Sequence, residues 1–258
     1  MARRPEWPVA FFDDDYLRIY RPTFTEERTR DEAEFIAAAL ALPPRTELLD
    51  LACGFGRHAV AMARRGFRVT GVDFNARYLE IAREEARAAG VEVRWVVGDM
   101  RALAFERAFD GVYSYFTSFG YFSDLENEGV LAGIARVLRP GGRFLIDLAN
   151  RDWLLTHPQQ RTWNQRADGT LLMEEVTLDL RTSRVVSRQT LIDSQGPRVE
   201  KEFDMRAYTC AELTALLARE GLALDEVWGG PDRCAYSTES RRLIMAATLS
   251  ADGARASR

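Results

Sequence analysis

The chain has 258 residues, of which 47% are hydrophobic, and its 35 basic and 39 acidic residues give a formal net charge of -4. This length allows a sizeable buried core and lies near the upper limit for one domain. No apolar run approaches the roughly 20 residues that a membrane span requires, and the amino terminus lacks the apolar core of a signal peptide. We therefore expect a soluble, cytoplasmic protein without a membrane partner.

Metal ions, disulfides and nucleic acid are not expected. Cys53, Cys210 and Cys234 are odd in number and far apart, and the chain has only two histidines that could join them at a metal. Basic and acidic residues are mixed along the chain, and no basic block offers a surface for phosphate backbones.

Residues 1–44 predict a helical cap segment. An aromatic and acidic stretch over 11–20 precedes Thr25, which with the two glutamates after it indicates a helix start. The helical pattern runs through Phe35 and the following alanines, and Pro43-Pro44 is expected to end it.

Short apolar runs then alternate with helical patterns. The predicted elements are strand 46–51, helix 57–65, strand 67–72, helix 76–89 and strand 91–97. A fourth strand begins at Phe109, a helix is capped by Ser123, and a fifth strand follows the turn Arg139-Pro-Gly-Gly. This alternation is typical of βαβ units on a parallel sheet.

The alternation breaks after the fifth strand. Residues 151–157 predict a short helix, and 170–206 predict β-strands separated by polar turns. We interpret 150–207 as an antiparallel, β-rich insertion that forms a lid over the substrate side.

The alternation then resumes. The capping box Thr209-Cys-Ala-Glu212 opens a helix that Gly221 ends, strands follow at 222–228 and 243–249, and the tail after Ser250 is small and polar. The sequence thus predicts one α/β domain over 1–258 with a doubly wound, Rossmann-like, mostly parallel seven-stranded sheet.

The glycine-rich turn after the first strand is the most informative segment for function. It reads Asp50-Leu-Ala-Cys-Gly54-Phe-Gly56, an apolar strand that runs into a turn where a ligand can approach the backbone without meeting a Cβ. Alone, this turn also fits a loose dinucleotide fingerprint or a purely structural corner.

Acids at the ends of the next two strands extend the pattern. Asp73 is placed to accept hydrogen bonds from a ribose diol, and Asp99 to accept from an adenine amino group. Phe74 or Met100 would cover the base. A single aspartate is often only a turn cap, but three consecutive strand ends with these residues predict a nucleoside site.

In combination, these motifs resemble those of the class I S-adenosylmethionine-dependent methyltransferases. The turn from Asp50 to Gly56, Asp73, the Gly98-Asp99-Met100 step and the Arg139-Pro-Gly-Gly turn carry the resemblance, which covers nearly the whole chain. It implies S-adenosyl-L-methionine as the cofactor, with Asp50 near its methionine portion and the backbone of Gly54 and Gly56 beside it. The other residues that we assign to the cofactor are Tyr20, Arg28, Ala52, Cys53, Phe74, Met100 and Tyr115.

Within this class the chain is most similar to small-molecule methyltransferases of the glycine and sugar-amine N-methylating branch. The similar features are Tyr16 and Tyr20, the helix start Glu27-Arg28-Thr29, the loop over 117–122 and the inserted strands. The likeness implies that Arg28 pairs with the cofactor carboxylate and that Tyr16 faces the methyl group. The implied reaction is direct in-line transfer to nitrogen or oxygen of a small-molecule acceptor.

The acceptor side has one further candidate for catalysis. His157 is our candidate base, with loop packing as the equal alternative, whereas His58 is expected to be structural. The aromatic residues expected to line the acceptor pocket or pack the lid are Tyr115, Phe116, Phe119, Tyr121, Phe122, Trp153 and Trp163. The inserted strands either cover that pocket or pair with a second subunit in a homo-oligomer.

Three other functions compete with this one. A nucleic-acid methyltransferase would have basic patches and a Pro-Pro-aromatic motif after strand four, where this chain reads Ser114-Tyr-Phe-Thr. A dinucleotide-dependent oxidoreductase fits the glycines but not the third acid, Asp99. A regulatory protein that binds the cofactor without turnover fits as well, because fold does not fix function.

Overall fold

A computed structural model describes residues 10–158, 161–166, 169–193, 196 and 198–251. The first nine residues of the predicted cap segment and the polar tail from 252 lie outside the described residues. Within the described ranges, no helix is both long enough and apolar enough to cross a membrane.

The helices and strands follow the predicted order. The helices are α1 (Asp14–Tyr20), α2 (Glu26–Leu40), α3 (Arg57–Arg64), α4 (Ala76–Ala88), α5 (Asp124–Val137), α6 (Arg151–Thr156) and α7 (Cys210–Arg219). The strands are β1 (Glu47–Leu51), β2 (Arg68–Asp73), β3 (Val93–Val97), β4 (Phe109–Ser114), β5 (Leu138–Ala149), β6 (Arg161–Gln165), β7 (Leu171–Asp179), β8 (Arg184–Ile192), β9 (Arg198–Arg206), β10 (Leu222–Trp228) and β11 (Arg242–Leu249).

The main sheet has the order β10-β11-β5-β4-β1-β2-β3 in the described part of the chain. β11 runs antiparallel to β5 and β10, and the pairs among β1 to β5 are parallel. Ile36 of α2 and Met62 of α3 belong to one buried core, and Leu131 of α5 and Leu217 of α7 belong to the other. These findings confirm the doubly wound, mostly parallel seven-stranded fold.

The insertion forms a second sheet of its own. It is antiparallel, with the order β6-β7-β8-β9 among the described residues. Helix α1 contacts this sheet, because Ile19 packs in one buried cluster with Leu172 and Leu191. The amino-terminal segment therefore touches the inserted strands.

Local differences from the prediction have physical causes. α2 ends at Leu40, before the two prolines, because Ala41 adopts a left-handed conformation with φ of 52°. β5 begins at Leu138, and the predicted turn Arg139-Pro-Gly-Gly bulges out of it, because Leu138 pairs with Phe109 and Arg143 with Gly111 and because Gly141 has a left-handed φ of 76°. Helix α1, capped by the Asp13 side chain, was not predicted as a separate helix.

Candidate cofactor and acceptor site

A cavity opens at the carboxyl ends of β1, β2 and β4, next to the point where the strand order reverses. Open α/β sheets bind ligands at this position. Most of the predicted site residues line it: Tyr16, Asp50, Ala52, Cys53, Gly54, Asp73, Phe74, Asp99, Met100 and Tyr115.

The two glycines of the turn have different surroundings. A Cβ added at Gly54, where φ is +57°, would meet nothing within 4 Å, so this glycine faces open space in the cavity wall. A Cβ added at Gly56 would lie 2.5 Å from Trp95 Cη2 and 2.7 Å from Ala82 Cβ. Gly54 therefore leaves room for a ligand, whereas Gly56 permits close packing.

Asp73 holds the glycine turn against β2. The side chain is buried, and its Oδ2 and Oδ1 accept hydrogen bonds from the N–H groups of Gly54 and Asn75, both at 2.8 Å. Burial raises the pKa of Asp73 to about 6, and the two N–H donors oppose this rise.

Asp50 lies at the floor of the cavity. Burial raises the pKa of Asp50 to about 7, and the neighbouring Tyr113 hydroxyl opposes the rise. Neither Asp50 Oδ2 nor that hydroxyl has a partner of normal hydrogen-bond geometry among the described residues. These two buried oxygens therefore lack hydrogen bonds of normal geometry at this part of the cavity.

Asp99 is already paired with a neighbour. Arg101 Nη2 lies 2.6 Å from Asp99 Oδ2, and Arg101 Nη1 lies 2.7 Å from Glu126 Oε1. Partial burial acts to raise the pKa of Asp99, but the hydrogen bonds from Arg101 hold it below its usual range. The guanidinium also lies 4.4 Å from the ring centre of Phe122, so both residues border the same end of the cavity.

Four predicted site residues do not line the cavity. Besides Gly56 and Arg28, these are Tyr20, whose hydroxyl accepts a hydrogen bond from Gln189 Nε2 at 2.6 Å, and His157. His157 stacks on Trp153 with ring centres 5.0 Å apart, and its Nε2 lies 3.4 Å from Glu239. This geometry matches the loop-packing alternative for His157.

A buried cluster around Glu32 was not predicted. Glu32 accepts hydrogen bonds from Arg28 Nε at 2.9 Å and from Arg57 Nη1, and its Oε2 lies 3.0 Å from His58 Nε2. Burial lowers the pKa of His58 to about 4, so this imidazole is neutral at pH 7. Arg57 and His58 line the cavity. No local sequence signal pairs residues on α2 and α3.

Aromatic rings from the amino-terminal segment and from the loop after β4 form part of the cavity wall. Phe12, Tyr16 and Tyr121 line it, with Tyr16 in edge contact with Phe12 at 4.9 Å between ring centres. Two hydrogen bonds fix this wall to α4: Asn75 Nδ2 donates to Phe12 O at 2.7 Å, and the Tyr78 hydroxyl donates to Asp13 O at 3.0 Å. The N-terminal segment therefore supplies part of the site.

The predicted aromatic set divides by location. Tyr115, Phe116, Tyr121 and Phe122 line the cavity. Phe119 instead packs on Tyr208 at 5.4 Å between ring centres, and Trp163 is 72% exposed on the second sheet. The loop after β4, rather than the second sheet, thus contributes most of these rings.

That loop has a conformation held by charged groups. Phe116 and Thr117 are both left-handed, with φ of 67° and 58°. Asp147 Oδ2 accepts from the Phe116 N–H at 2.9 Å, and the Thr117 N–H donates to Asp147 O at 2.9 Å. Arg242 donates to Asp147 through Nε and Nη2 at 2.7 and 2.6 Å, and through Nη2 to Thr117 Oγ1 at 2.9 Å.

The fold and this cavity define a Rossmann-like protein with a nucleoside-type site at its strand ends. This site fits a nucleoside, because it has carboxylates at three strand ends, open space beside Gly54 and aromatic rings.

Comparison with known proteins identifies the family. A family model described as a methyltransferase domain matches residues 48–142. The chain is 31% identical over 200 residues to methyltransferase GfsG from Streptomyces halstedii, which covers 71% of this chain and 68% of that protein. It is 29% identical over 166 residues to glycine N-methyltransferase from Rattus norvegicus, which covers 58% of this chain and 56% of that protein.

A solved structure has the same fold. The methyltransferase CcbJ from Streptomyces caelestis matches with a TM-score of 0.75 at 24% identity, over 86% of this chain and 89% of that chain. The chain spans about half the length of several curated relatives that it matches, 46%, 49% and 56% for three of them.

The chain belongs to the class I S-adenosylmethionine-dependent methyltransferases. This confirms the resemblance predicted from the strand-end motifs, and with it S-adenosylmethionine as the cofactor.

Proposed function

We propose that the protein is an enzyme that transfers the methyl group of S-adenosylmethionine directly to nitrogen of a small-molecule amine. The observation that carries the proposal is one cavity that is lined both by acids from three strand ends and by aromatic rings. The bound cofactor supplies a methyl group on a positively charged sulfur, which a nucleophile takes in one displacement.

The strand ends would hold the cofactor. Asp73 would accept from the ribose hydroxyls through the lone pairs that Gly54 and Asn75 leave, and Asp99 would face the adenine with Met100 beside it. Asp50 lies deeper, next to the space for the methionine portion. Alignment of the acceptor with the methyl group, and exclusion of water, is worth roughly 7–11 kcal/mol in such reactions.

The aromatic end favours nitrogen over oxygen as the acceptor atom. A hydroxyl acceptor needs a base to remove its proton, whereas a neutral amine does not. Burial raises the pKa of Tyr16 well above its usual value, so its phenol stays protonated and acts only as a hydrogen-bonding group. The rings of Phe12, Tyr16 and Tyr121 would stabilise the positive charge that develops on the nitrogen.

The insertion and the cap segment complete the proposal. We assign 150–207 as the lid over the acceptor side and 1–44 as the cap within a single domain over 1–258. The contact of α1 with Leu172 and Leu191 supports a closed acceptor end. A closed acceptor end favours a small-molecule acceptor.

Titration calorimetry tests the cofactor step. Wild type is expected to bind S-adenosylmethionine and not NAD, and Asp73→Ala is expected to lose this binding. Asp179→Ala is the matched control, because this carboxylate lies on the second sheet at the end of β7, outside the cavity lining. NAD binding, or no S-adenosylmethionine binding, would refute the proposal.

Methyl transfer to a panel of paired amines and alcohols tests the acceptor. We expect product only from amines, with a rate that rises with pH as the amine loses its proton. Product from alcohols alone would require a base and would overturn the nitrogen assignment. Cofactor binding without turnover of any acceptor would favour the regulatory alternative.

A further inference from the structure

A carboxylate on the second sheet faces helix α1. Glu174 lies two residues after Leu172 on β7, so both side chains point to the same face of the strand. Leu172 packs on Ile19 of α1, and Glu174 therefore lies on the face that α1 covers. Its Oε1 accepts hydrogen bonds from Ser187 Oγ at 2.6 Å and from Gln189 Nε2 at 3.0 Å, both on β8. Two neutral donors thus hold this carboxylate in place.

Tyr20 connects this carboxylate to the cavity. Gln189 Nε2 also donates to the Tyr20 hydroxyl at 2.6 Å. The ring centre of Tyr20 lies 4.5 Å from that of Tyr16, which lines the cavity. Burial raises the pKa of Tyr20 to about 12, and the negative charge of Glu174 adds to this rise more than the positive charge of Arg166 reduces it. Glu174 is therefore the stronger of these two charges at the aromatic wall.

Glu174 has no cation as a partner. Among the residues that the structure describes, no Lys, Arg or His side chain pairs with this carboxylate. Lys201 of the second sheet pairs with Asp13 instead. Arg242, which fixes the loop after β4, pairs with Asp147. A negative charge without a partner therefore lies behind the tyrosines of the cavity wall.

A buried acceptor next to Glu174 lacks a donor. The Gln189 side chain is 1% exposed, and its Oε1 has no hydrogen-bond partner in the described ranges. Its Nε2 already serves both Tyr20 and Glu174, and a buried acceptor without a donor is costly. An ammonium group would supply both the positive charge that Glu174 lacks and the N–H donor that Gln189 lacks.

We infer that Glu174 determines acceptor specificity by binding a second, positively charged group of the acceptor, while the reacting nitrogen lies beside Tyr16. This inference rests on the proposed function and narrows the acceptors to amines that carry a cation remote from the reacting nitrogen. The reacting nitrogen must be neutral to attack the methyl group, so the charge of Glu174 acts on the remote group. The second sheet thus takes part in the choice of acceptor.

Four amines that differ only in the remote group provide the test: hexylamine, 1,6-diaminohexane, 6-amino-1-hexanol and 6-aminohexanoate. Their four-carbon and eight-carbon homologues allow for the length of the site. Calorimetry measures binding to the S-adenosylhomocysteine complex, which requires no turnover, and methyl transfer gives kcat and KM. Wild type should bind the diamine about 10- to 100-fold more tightly than the monoamine, the effect of hydrogen bonds to a charged group. Glu174→Gln should lose most of this preference through KM and change the monoamine less than about threefold.

Glu175→Gln is the matched control. Glu175 is the next residue of β7 and points to the opposite face of the sheet, where its Oε1 lies 3.4 Å from Arg161 Nη2. Its replacement removes the same charge from the same strand and should leave the preference unchanged. Glu174→Asp keeps the charge and should keep part of the preference, which separates loss of the charge from disturbance of the second sheet.

Other results would overturn the inference. Equal binding of the diamine and the amino alcohol would mean that the remote group is a neutral donor, and a preference for the amino acid would assign it to Arg166. An equal loss for all four amines in Glu174→Gln would make Glu174 structural. Methyl transfer to the four amines without preference would contradict the inference and leave the proposed function intact. Diamine binding that depends on Glu174, without methylation of any amine, would instead refute the proposed function alone.

Discussion

Replacement of Arg242 by Met should destabilise the protein strongly. The guanidinium is the charged partner of Asp147, whose side chain is 2% exposed. Breaking a buried ion pair on one side leaves an uncompensated charge, at a cost of about 3–5 kcal/mol. The left-handed conformations of Phe116 and Thr117 cost roughly 1–2 kcal/mol each, and the loss of one of the bonds that holds them adds to the effect.

Urea unfolding followed by circular dichroism measures this change. We expect Arg242→Met to lower the free energy of unfolding by about 3–5 kcal/mol, a large part of the stability of an ordinary domain. The double variant Arg242→Met with Asp147→Asn is the control. The double variant has no unpaired carboxylate at position 147, and the amide oxygen introduced there can still accept from the Phe116 N–H. The double variant should therefore be more stable than Arg242→Met alone. A single-variant loss below about 1 kcal/mol, or additive losses in the double variant, would refute the reasoning.

Three further predictions follow from the buried residues. The folded chain binds the proton of Asp50 more tightly than the unfolded chain, since burial raises its pKa to about 7, so the stability it contributes at low pH is lost as the pH rises towards 7. Without ligand, the free energy of unfolding of Asp50→Asn should therefore rise relative to that of wild type by about 1.4 kcal/mol per pH unit between pH 5 and 6.5. Urea unfolding at several pH values measures this difference, and a difference that does not change with pH would contradict the prediction. Lys201, the only lysine of the chain, is buried, and its Nζ donates to Phe11 O at 3.2 Å. Amine-reactive esters should therefore label Lys201 in urea and not in the native protein. Rapid labelling of the native protein would contradict this and show that the contact opens readily. Gly54→Ala should weaken S-adenosylhomocysteine binding at least about tenfold in calorimetry and lower the free energy of unfolding by only about 1 kcal/mol. Gly56→Ala should lower the free energy of unfolding by about 1–3 kcal/mol, because its Cβ would clash with Trp95. The reverse pattern would invalidate the distinction between the two glycines.

The fold was predictable because its determinants are local. Caps such as Thr25 and Ser123 fix helix starts through bonds within three residues, and apolar runs of strand length fix the sheet. The positions of Asp73 and Asp99 followed as well, since the carboxyl ends of parallel strands meet at one edge of a sheet.

The remaining site residues depend on tertiary packing. Arg57 and Glu32 meet because α2 packs on α3, and no periodicity in the sequence determines that contact. His157 lies directly after the short helix α6 and stacks on Trp153 of that helix. Phe12 is held at the cavity by a hydrogen bond from Asn75, which is 63 residues away in the chain, and by ring contacts such as that with Phe74.

The packing of Trp95 has a consequence for how this protein varies among its relatives. The ring occupies the space in which a Cβ at Gly56 or at Gly71 would lie, at 2.5 Å from each. Three positions on separate elements thus share one volume, and a larger residue at either glycine requires a smaller one in place of the tryptophan. These positions should therefore covary in an alignment of homologues, and Gly71→Ala should be better tolerated together with Trp95→Leu than alone.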